Sequence, residues 1–290
     1  MTADPGRRSC RLRRGYQTTS ALQALILGIV QGATEFLPVS SSGHLVLVPW
    51  LFGWGDPGLA FDATLHLGTL VAVVAYFARE LWSLLKALVS SLKDRSLAGE
   101  PDRRIAWLLV AGSLPAAASG ILLEEFFEKL FAEPLWVGVL LVCTGVLLAL
   151  GERWSARDRR MSNLGWVDAT IVGVGQALAI APGISRSGAT ISAGLWRGLE
   201  RSEAARFSFI LSVPVVLGAG LFKLLDLLAT PWVLRSPWLV LLGFLAAAVS
   251  GFVSIRFLLS YLRRRRLYAF AAYCWAAGTL TIVLSVLSIR

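Results

Sequence analysis

The stretch from Gly28 to His44, with the letters GIVQGATEFLPVSSSGH, places polar side chains inside an apolar surround. Gln31 and Glu35 are four residues apart and share one helix face, in a run from Ala21 to Leu37 that is otherwise almost wholly apolar. A carboxylate within lipid costs about 2.5 to 3.5 kcal/mol unless it meets a partner or a wet cavity. Pro38 ends the helix before a second apolar run begins. The sequence therefore predicts two half-helices that meet at a functional polar tip.

The composition places this tip in a membrane protein. The chain has 290 residues, of which 56% are hydrophobic and 16% charged, and its mean hydropathy is +0.67. Eleven tryptophans and a net charge of +10 fit the same class, because Trp anchors at membrane interfaces and Lys and Arg collect in cytoplasmic loops. The positive charge therefore does not indicate nucleic acid as a partner. Cys10, Cys143 and Cys274 lie far apart without metal-type spacing, and we interpret Cys143 and Cys274 as small core residues.

The opening pattern occurs twice. A second apolar run carries Gln176, is broken at Pro182-Gly183, and continues after a tip formed by Ser185-Arg186-Ser187-Gly188. A re-entrant pair enters and leaves on the same side of the membrane, so a unit of one pair plus three spans crosses the membrane an odd number of times. The second unit therefore has the opposite orientation in the membrane to the first. We therefore predict an all-α polytopic membrane protein with an inverted-topology repeat, each half a re-entrant broken-helix pair plus three transmembrane helices.

The predicted organisation has three parts. A basic tail, 1–20, which has no signal-peptide cleavage pattern, precedes a first repeat, 21–155, and a second repeat, 156–290. The first repeat contains the re-entrant pair 21–54 and spans over 62–85, 105–123 and 135–150. The second contains the pair 165–199 and spans over 205–228, 238–259 and 267–288. The alternative is that 21–37 is an ordinary tilted helix and 45–54 a surface segment.

Loop charges predict the orientation. Loops 86–104, 152–160 and 263–266 are basic and fall on one side, whereas the loop 124–133 opposite them is acidic. The basic side is expected to be cytoplasmic, so that the first pair opens outward and the second inward. The tail disagrees, because this count places its five arginines (Arg7, Arg8, Arg11, Arg13 and Arg14) outside.

Arg186 is the most informative single residue, because a guanidinium between two apolar runs needs an anion or a carboxylate beside it. One interpretation is a structural ion pair with Glu35 that holds the two repeats together. The other is an anion cradle that the two tips form with helix N-termini and hydroxyls, for which phosphate is the natural ligand. The predicted phosphate-binding residues are Ser40, Ser42, Gly43, Ser185, Ser187, Gly188 and Thr190.

The two histidines and the paired polar residues suggest further roles. His44, three residues after Ser41, is interpreted as a general acid or base rather than a structural residue. His66 follows Asp62 by four residues, which favours a structural or supporting contact. Gln31 and Glu35 offer two oxygen ligands at helical spacing for a hard divalent cation, Mg²⁺ or Ca²⁺, that bridges to phosphate oxygens.

The segments QGATEFLPVSSSGH, from Gln31, and PGISRSGAT, from Pro182, resemble the two signature motifs of the bacterial undecaprenyl-diphosphatases, also called bacitracin-resistance proteins. The resemblance extends over nearly the whole chain from Ala21. It implies hydrolysis of undecaprenyl diphosphate to undecaprenyl phosphate and inorganic phosphate in the bacterial plasma membrane, with a divalent cation and an active site reached from the outer face. This reaction recycles the lipid carrier of cell-wall synthesis and confers resistance to bacitracin, which competes for the substrate. A homodimer is compatible with the sequence.

The resemblance also implies residue roles. Glu35 would be the essential carboxylate, Ser41 the nucleophile, His44 its proton partner and Arg186 the phosphate clamp. Gln31 occupies a position where the family has either Glu or Gln. Because Gln is neutral, a metal site here has one negative charge fewer than it would have with Glu. The residues leave open whether the hydroxyl of Ser41 or a metal-bound water attacks the phosphorus of the substrate.

Two other functions share parts of this sequence pattern. The type 2 phosphatidic acid phosphatases also use an S-G-H and a later S-R, but they need a further histidine downstream, and no histidine follows His66. A polyprenyl-phosphate transporter or flippase is the alternative from another class, because inverted repeats and broken helices are typical of transporters.

Overall fold

The structure is a computed structural model that describes residues 20–55, 58–97, 101–122, 133–229 and 236–287. These ranges contain eleven α-helices and no β-strand. The helices are α1 (Ala21–Phe36), α2 (Ser41–Phe52), α3 (Leu59–Tyr76), α4 (Ala78–Asp94), α5 (Pro101–Leu122), α6 (Pro134–Trp154), α7 (Trp166–Leu178), α8 (Arg186–Trp196), α9 (Arg201–Ala229), α10 (Pro237–Leu262) and α11 (Tyr268–Val286). The predicted basic tail and the glutamates 124, 125 and 128 lie outside the described residues.

Five helices, α5, α6, α9, α10 and α11, are long and apolar enough to cross a membrane, and α3 with α4 forms a bent pair that passes the same test. Their lipid-compatible surfaces and small-residue contacts confirm an all-α polytopic membrane protein. For example, Gly32 of α1 lies directly against the backbone of α10, and a Cβ there would overlap Ser250. Such close approach strengthens packing between helices in lipid, where no hydrophobic effect drives them together.

Glu152, which is only 2% exposed, joins three helix ends on one face of the bundle. It lies near the end of α6, accepts hydrogen bonds from Arg201 at the start of α9, and accepts a 3.2 Å hydrogen bond from the N–H of Leu267 just before α11. Arg157 in the following loop also pairs with it, at 2.9 Å. We call this side the basic face, because it carries the basic loops 152–160 and 263–266.

The second half-helix pair begins and ends on the basic face. Asp168 in the first turn of α7 accepts a 2.5 Å hydrogen bond from Nε of Arg197, the residue that directly follows α8. Arg159, in the loop after α6, also pairs with Asp168, at 2.8 Å. The hydrogen bond that Arg159 donates to Asp168 raises the pKa of this guanidinium, which therefore stays charged. The pair α7–α8 is thus re-entrant.

The first half-helix pair opens on the opposite face. Ala24 near the start of α1 and Trp54 just after α2 pack in one apolar cluster with Leu239, in the first turn of α10. Because α10 ends at the basic face, its first turn lies on the other side of the membrane. The two pairs therefore enter from opposite faces, as the alternation of the sequence predicts. In α2, Leu45 and Leu47 are buried, which disagrees with the alternative that 45–54 is a surface segment.

One predicted span differs from the structure. The sequence predicts a single crossing over 62–85, but α3 ends at Tyr76 and α4 turns away by 85° after Phe77. The first residues of α4 include Arg79 and Glu80, and Glu80 pairs with Arg206 of α9 at 2.9 Å. These charges keep α4 at the membrane face, so the hydrophobic run alone overstates the length of the crossing.

Candidate active site

The first tip has a strained backbone. Ser40, the N-cap of α2, has φ 70° and ψ 96°, a region that residues other than glycine rarely adopt. Its hydroxyl accepts a 3.3 Å hydrogen bond from the N–H of Gly43, and it lies 3.4 Å from the hydroxyl of Ser42. A backbone strain of about 1 to 3 kcal/mol persists only where the surroundings impose it, and such positions cluster at functional sites.

The second tip is tied to α6. Gly183 adopts φ 102°, and a Cβ there would collide with Val137, so this position requires glycine. Its carbonyl accepts a 2.9 Å hydrogen bond from the hydroxyl of Thr144, which in turn accepts one from the N–H of Ser185 at 3.0 Å. Ser185 then caps α8 by accepting from the N–H of Gly188, at 3.0 Å. The start of α8 is therefore held rigidly.

The two tips meet in the interior. Nη2 of Arg186, in the first turn of α8, lies 3.0 Å from Oε1 of Glu35, in the last turn of α1. The hydroxyl of Ser187 also donates to the backbone carbonyl of Leu37, at 3.1 Å. Residues 151 positions apart in the chain thus share one site.

Glu35 is the centre of this site. Its side chain is 5% exposed, and both of its oxygens are engaged. Oε1 faces Arg186, whereas Oε2 accepts hydrogen bonds from the hydroxyl of Ser41 at 2.5 Å and from Nε2 of Gln31 at 2.9 Å. Nε2 of His66 lies 3.6 Å from the same Oε2. A buried carboxylate with charged and neutral donors on both oxygens stays ionised at low cost.

The site nevertheless contains polar atoms without partners. Nε and Nη1 of Arg186 are buried and make no hydrogen bond, and neither does Oε1 of Gln31. A small cavity lies against the Glu35–Arg186 pair. Its other lining residues are Phe36, Thr69, Leu70, Val73, Ser212 and Val216. Unpaired buried donors are costly, so the two free nitrogens of Arg186 are suited to an anionic ligand with several oxygens.

Both ring nitrogens of His44 are paired with groups other than the hydroxyl of Ser41, for which the resemblance implies a proton-partner role. Its Nδ1 lies 2.7 Å from the backbone carbonyl of Ser40, and its Nε2 lies 2.7 Å from the hydroxyl of Tyr273 in α11. Because a carbonyl only accepts, Nδ1 carries the proton, and Nε2 of the neutral ring accepts from Tyr273. Ser41 donates to Glu35 instead. Glu35, rather than His44, is therefore the group in contact with the predicted nucleophile.

Several hydroxyls predicted for the phosphate cradle have protein partners. Ser185 and Ser187 are buried, with their hydroxyls 3.1 Å apart. Thr190 is also buried; its hydroxyl donates to the carbonyl of Arg186 at 2.7 Å and lies 2.6 Å from that of Ser208. These residues shape the start of α8. The hydroxyls of Ser41 and Ser42 lie in half-buried residues at the tip.

The sequence does not identify Tyr273 as a site residue, and the supporting contact predicted for His66 is made with Glu35. No pattern links Tyr273 to the tips, because it reaches His44 across 229 positions of sequence. His66 lies in an apolar run, and its Nδ1 is 2.8 Å from the carbonyl of Asp62, as the spacing suggested. Its other nitrogen faces Glu35. A histidine within a membrane span was the signal that could have identified it.

The site fits a divalent cation only with ligand oxygens from elsewhere. Within the described residues no group of three or more His, Cys, Asp or Glu side chains could hold a metal. Gln31 donates from its Nε2 to Oε2 of Glu35, and its own Oε1 is buried without a hydrogen-bond partner, so it is an oxygen that could serve as a ligand. Mg²⁺ is commonly bound by one or two protein oxygens plus phosphate and water, which matches this donor set.

Comparison with known proteins agrees with the motifs. The family described as "Bacitracin resistance protein BacA" matches residues 24–280. The undecaprenyl-diphosphatase of Pelotomaculum thermopropionicum is 46% identical over 266 residues, which cover 92% of this chain and 97% of the relative. The undecaprenyl-diphosphatases of Rubrobacter xylanophilus and Methanosphaera stadtmanae are 46% and 43% identical, over 92% and 91% of this chain and 98% of each relative. With both motifs meeting at one buried site and matches across almost its full length, this chain belongs to the bacitracin resistance protein BacA family.

Proposed function

We propose that this chain is an integral membrane hydrolase that converts undecaprenyl diphosphate into undecaprenyl phosphate and inorganic phosphate. The observation that carries the proposal is the 3.0 Å contact between Glu35 and Arg186, with Ser41 beside the carboxylate and two guanidinium nitrogens left unpaired. The relatives named undecaprenyl-diphosphatase support the substrate. The activity recycles the lipid carrier of cell-wall synthesis and accounts for resistance to bacitracin, which competes for the same diphosphate.

Arg186 binds the terminal phosphate. Nη2 remains on Glu35 while Nε and Nη1 donate to phosphate oxygens, so the guanidinium is held in place before the substrate arrives. The charge that develops on the phosphoryl oxygens in the transition state is stabilised by the same fixed donors. The rigid capping of α8 by Ser185 keeps this geometry.

Ser41 attacks the terminal phosphorus, and Glu35 accepts its proton. The bond from phosphorus to the bridging oxygen breaks, and undecaprenyl phosphate leaves with the electron pair. Water then cleaves the phosphoserine, which releases inorganic phosphate and restores the hydroxyl. The 2.5 Å hydrogen bond from Ser41 to Glu35 supports this assignment, because a nucleophile must lie within hydrogen-bond reach of its base.

A divalent cation, Mg²⁺ or Ca²⁺, would be held by Gln31 and Glu35 together with diphosphate oxygens. When bound it neutralises charge on the diphosphate. Gln31 orients Glu35 through the 2.9 Å hydrogen bond that its Nε2 donates, and its buried Oε1 has no hydrogen-bond partner in the protein.

The site is reached from the outer face of the bacterial plasma membrane. The first half-helix pair opens opposite to the basic face, and basic loops are typical of the cytoplasmic side.

The function is tested by phosphate release from undecaprenyl diphosphate with the purified chain in detergent. We expect turnover by the wild type and none above background for Glu35→Ala. Glu200→Ala is the matched control, because Glu200 is a half-exposed carboxylate on the basic face and should keep the wild-type rate. Absence of release by the wild type, or equal rates for both variants, would refute the proposal.

Removal of divalent cations is expected to stop turnover. Treatment with EDTA should lower phosphate release to near background, and added Mg²⁺ or Ca²⁺ should restore it, since the guanidinium of Arg186 supplies too little positive charge to neutralise a diphosphate alone. Gln31→Glu should raise the apparent affinity for the cation because it adds a carboxylate. Full activity in EDTA would exclude the metal.

Ser41→Ala is expected to lower the rate of phosphate release by about 10⁴-fold or more if the hydroxyl is the nucleophile. Ser113→Ala is the control and should change the rate less than tenfold, because Ser113 is half-buried like Ser41 but its hydroxyl donates to a carbonyl of its own helix, α5. Quenching the wild-type reaction with acid should trap phosphate on Ser41. If Ser41→Ala keeps most of the wild-type turnover, water is the attacking group instead.

Tyr273→Phe is expected to lower turnover by about two- to tenfold, which corresponds to one neutral hydrogen bond. The change removes the hydroxyl that lies 2.7 Å from Nε2 of His44. It keeps the aromatic ring, which stacks on the imidazole of His44 with 5.8 Å between the two ring centroids. Tyr268→Phe in the same helix serves as the control. An unchanged rate for Tyr273→Phe would show that this hydrogen bond has no part in turnover.

A further inference from the structure

Helix α4 lies across the ends of two spanning helices rather than beside them. Ser83 donates to Asp102 at 2.6 Å and Arg103 donates to Asp94 at 2.6 Å, so both halves of α4 contact the first turn of α5. Towards its start, Glu80 pairs with Arg206, near the start of α9. Because α9 begins on the basic face, α4 extends over that face.

The preceding helix runs through the membrane, which fixes the direction of α4. Gly68 of α3 lies directly against the backbone of α10 at Phe244, in the middle of a spanning helix. Since α4 makes an angle of 85° with α3, its axis is close to the membrane plane.

One side of α4 is apolar and uncovered. Trp82, Leu85, Val89 and Leu92 follow one another at steps of three and four residues and are between 49% and 59% exposed. Residues with this spacing share one helix face. The opposite side is buried: Leu84 and Ala87 are in the core, and Ser91 accepts a 2.8 Å hydrogen bond from Trp107 of α5. The uncovered face is therefore available to lipid.

A row of cations runs beside this apolar face. Arg79, Lys86 and Lys93 are exposed and seven residues apart, so they form one line along the helix. Lys86 lies over the ring of Trp82, 5.3 Å from its centroid. The acidic residues of α4 are engaged elsewhere, because Glu80 and Asp94 pair with arginines of α9 and α5. The row is thus a net positive stripe next to an apolar one.

We propose that α4 is an interfacial helix that binds anionic phospholipids of the leaflet at the basic face. The apolar residues enter the acyl-chain region, and Arg79, Lys86 and Lys93 bind headgroup phosphates at the depth where the polar region begins. A helix with Trp and Leu on one side and Lys and Arg beside them is typical of this position. The occupant is anionic lipid rather than zwitterionic lipid, because the three cations have no protein carboxylate left to neutralise them in the described part of α4. The inference is independent of the proposed catalytic chemistry.

The test compares lipid binding to the purified full-length chain. Phosphatidylglycerol or phosphatidylcholine is titrated into the protein in detergent, and bound lipids are counted by native mass spectrometry. We expect the wild type to prefer phosphatidylglycerol, and each removed cation to weaken that preference by about fivefold. The variant Arg79→Gln/Lys86→Gln/Lys93→Gln should therefore lose most of it, and 0.5 M NaCl should reduce it for the wild type.

A charge-matched variant distinguishes lipid binding by the cations of α4 from a general effect of the net charge of the chain. Arg263→Gln/Arg264→Gln/Arg265→Gln removes three exposed cations from the loop between α10 and α11 on the same face, and it should keep most of the preference. Equal losses in the two triple variants, or no preference in the wild type, would overturn the proposal. If the α4 triple variant does not fold, Lys93→Gln and Lys93→Arg form a milder pair, and only the first should weaken binding of phosphatidylglycerol.

Discussion

Replacing Arg186 by alanine is expected to reduce phosphate release from undecaprenyl diphosphate by at least about 10²- to 10³-fold. The change removes the two buried nitrogens that are free to bind phosphate and leaves Glu35 without its cation. Arg186→Lys keeps the charge but loses the planar fork, so its rate should lie between those of the alanine variant and the wild type. Arg160→Ala is the control, since that side chain is 77% exposed and far from the tips in sequence.

The same residue pair separates catalysis from structure. If the contact between Glu35 and Arg186 only held the repeats together, the double variant Glu35→Gln/Arg186→Leu would recover stability by removing both charges, and it would also recover turnover. We expect it to fold, with a melting temperature in detergent nearer the wild type than that of Arg186→Ala, and to remain inactive. A double variant with substantial phosphate release would contradict the proposed role of the pair.

Glu152→Ala is expected to destabilise the fold by about 3 kcal/mol, because removing one partner of a buried ion pair strands the others. Arg201 and the N–H of Leu267 would lose their acceptor, and three helix ends on the basic face would lose their common contact. This loss of stability is at the lower end of the range for broken buried ion pairs, because Arg157 is 32% exposed and water can solvate it when Glu152 is removed. The melting temperature in detergent and the denaturant midpoint measure the effect.

Glu200→Ala is the control for this change too. Glu200 is 45% exposed and lies 3.9 Å from the exposed Arg160, and such surface pairs contribute about 0 to 1 kcal/mol. Glu152→Gln should lie between the two, because an amide oxygen still accepts from the N–H of Leu267. Equal stabilities of Glu152→Ala and Glu200→Ala would show that the contact at the basic face is dispensable.

The two tips explain why a repeat detected in sequence still makes an asymmetric site. Glu35 follows Gln31 by four residues, but Ile180 holds the corresponding position after Gln176. Conversely, the second tip has Arg186 at the position that Ser41 occupies in the first tip. Neither tip supplies both a carboxylate and a guanidinium, so the site exists only when the two tips meet.

The sequence alone determined the fold class, the family and the two half-helix pairs. Hydrophobic runs, proline breaks and charged loops act over a few residues, so they can be recognised without coordinates. The structure confirmed the polytopic helical fold, and the comparisons confirmed the family. The predicted meeting of Glu35 and Arg186 followed from the cost of burying either charge alone, and the structure places them 3.0 Å apart.

Tertiary structure alone decided which groups face each other at the site. It also decided at which residue the helix that contains Asp62 stops crossing the membrane. Ser41 donates to Glu35, whereas Nε2 of His44 lies 2.7 Å from the hydroxyl of Tyr273, because the packing of α11 against the first tip brings that hydroxyl to His44. Likewise, α4 turns to lie along the basic face because Glu80 pairs with Arg206 near the start of another helix. Contacts between segments distant in the chain depend on how helices pack, and no local pattern of residues records that packing.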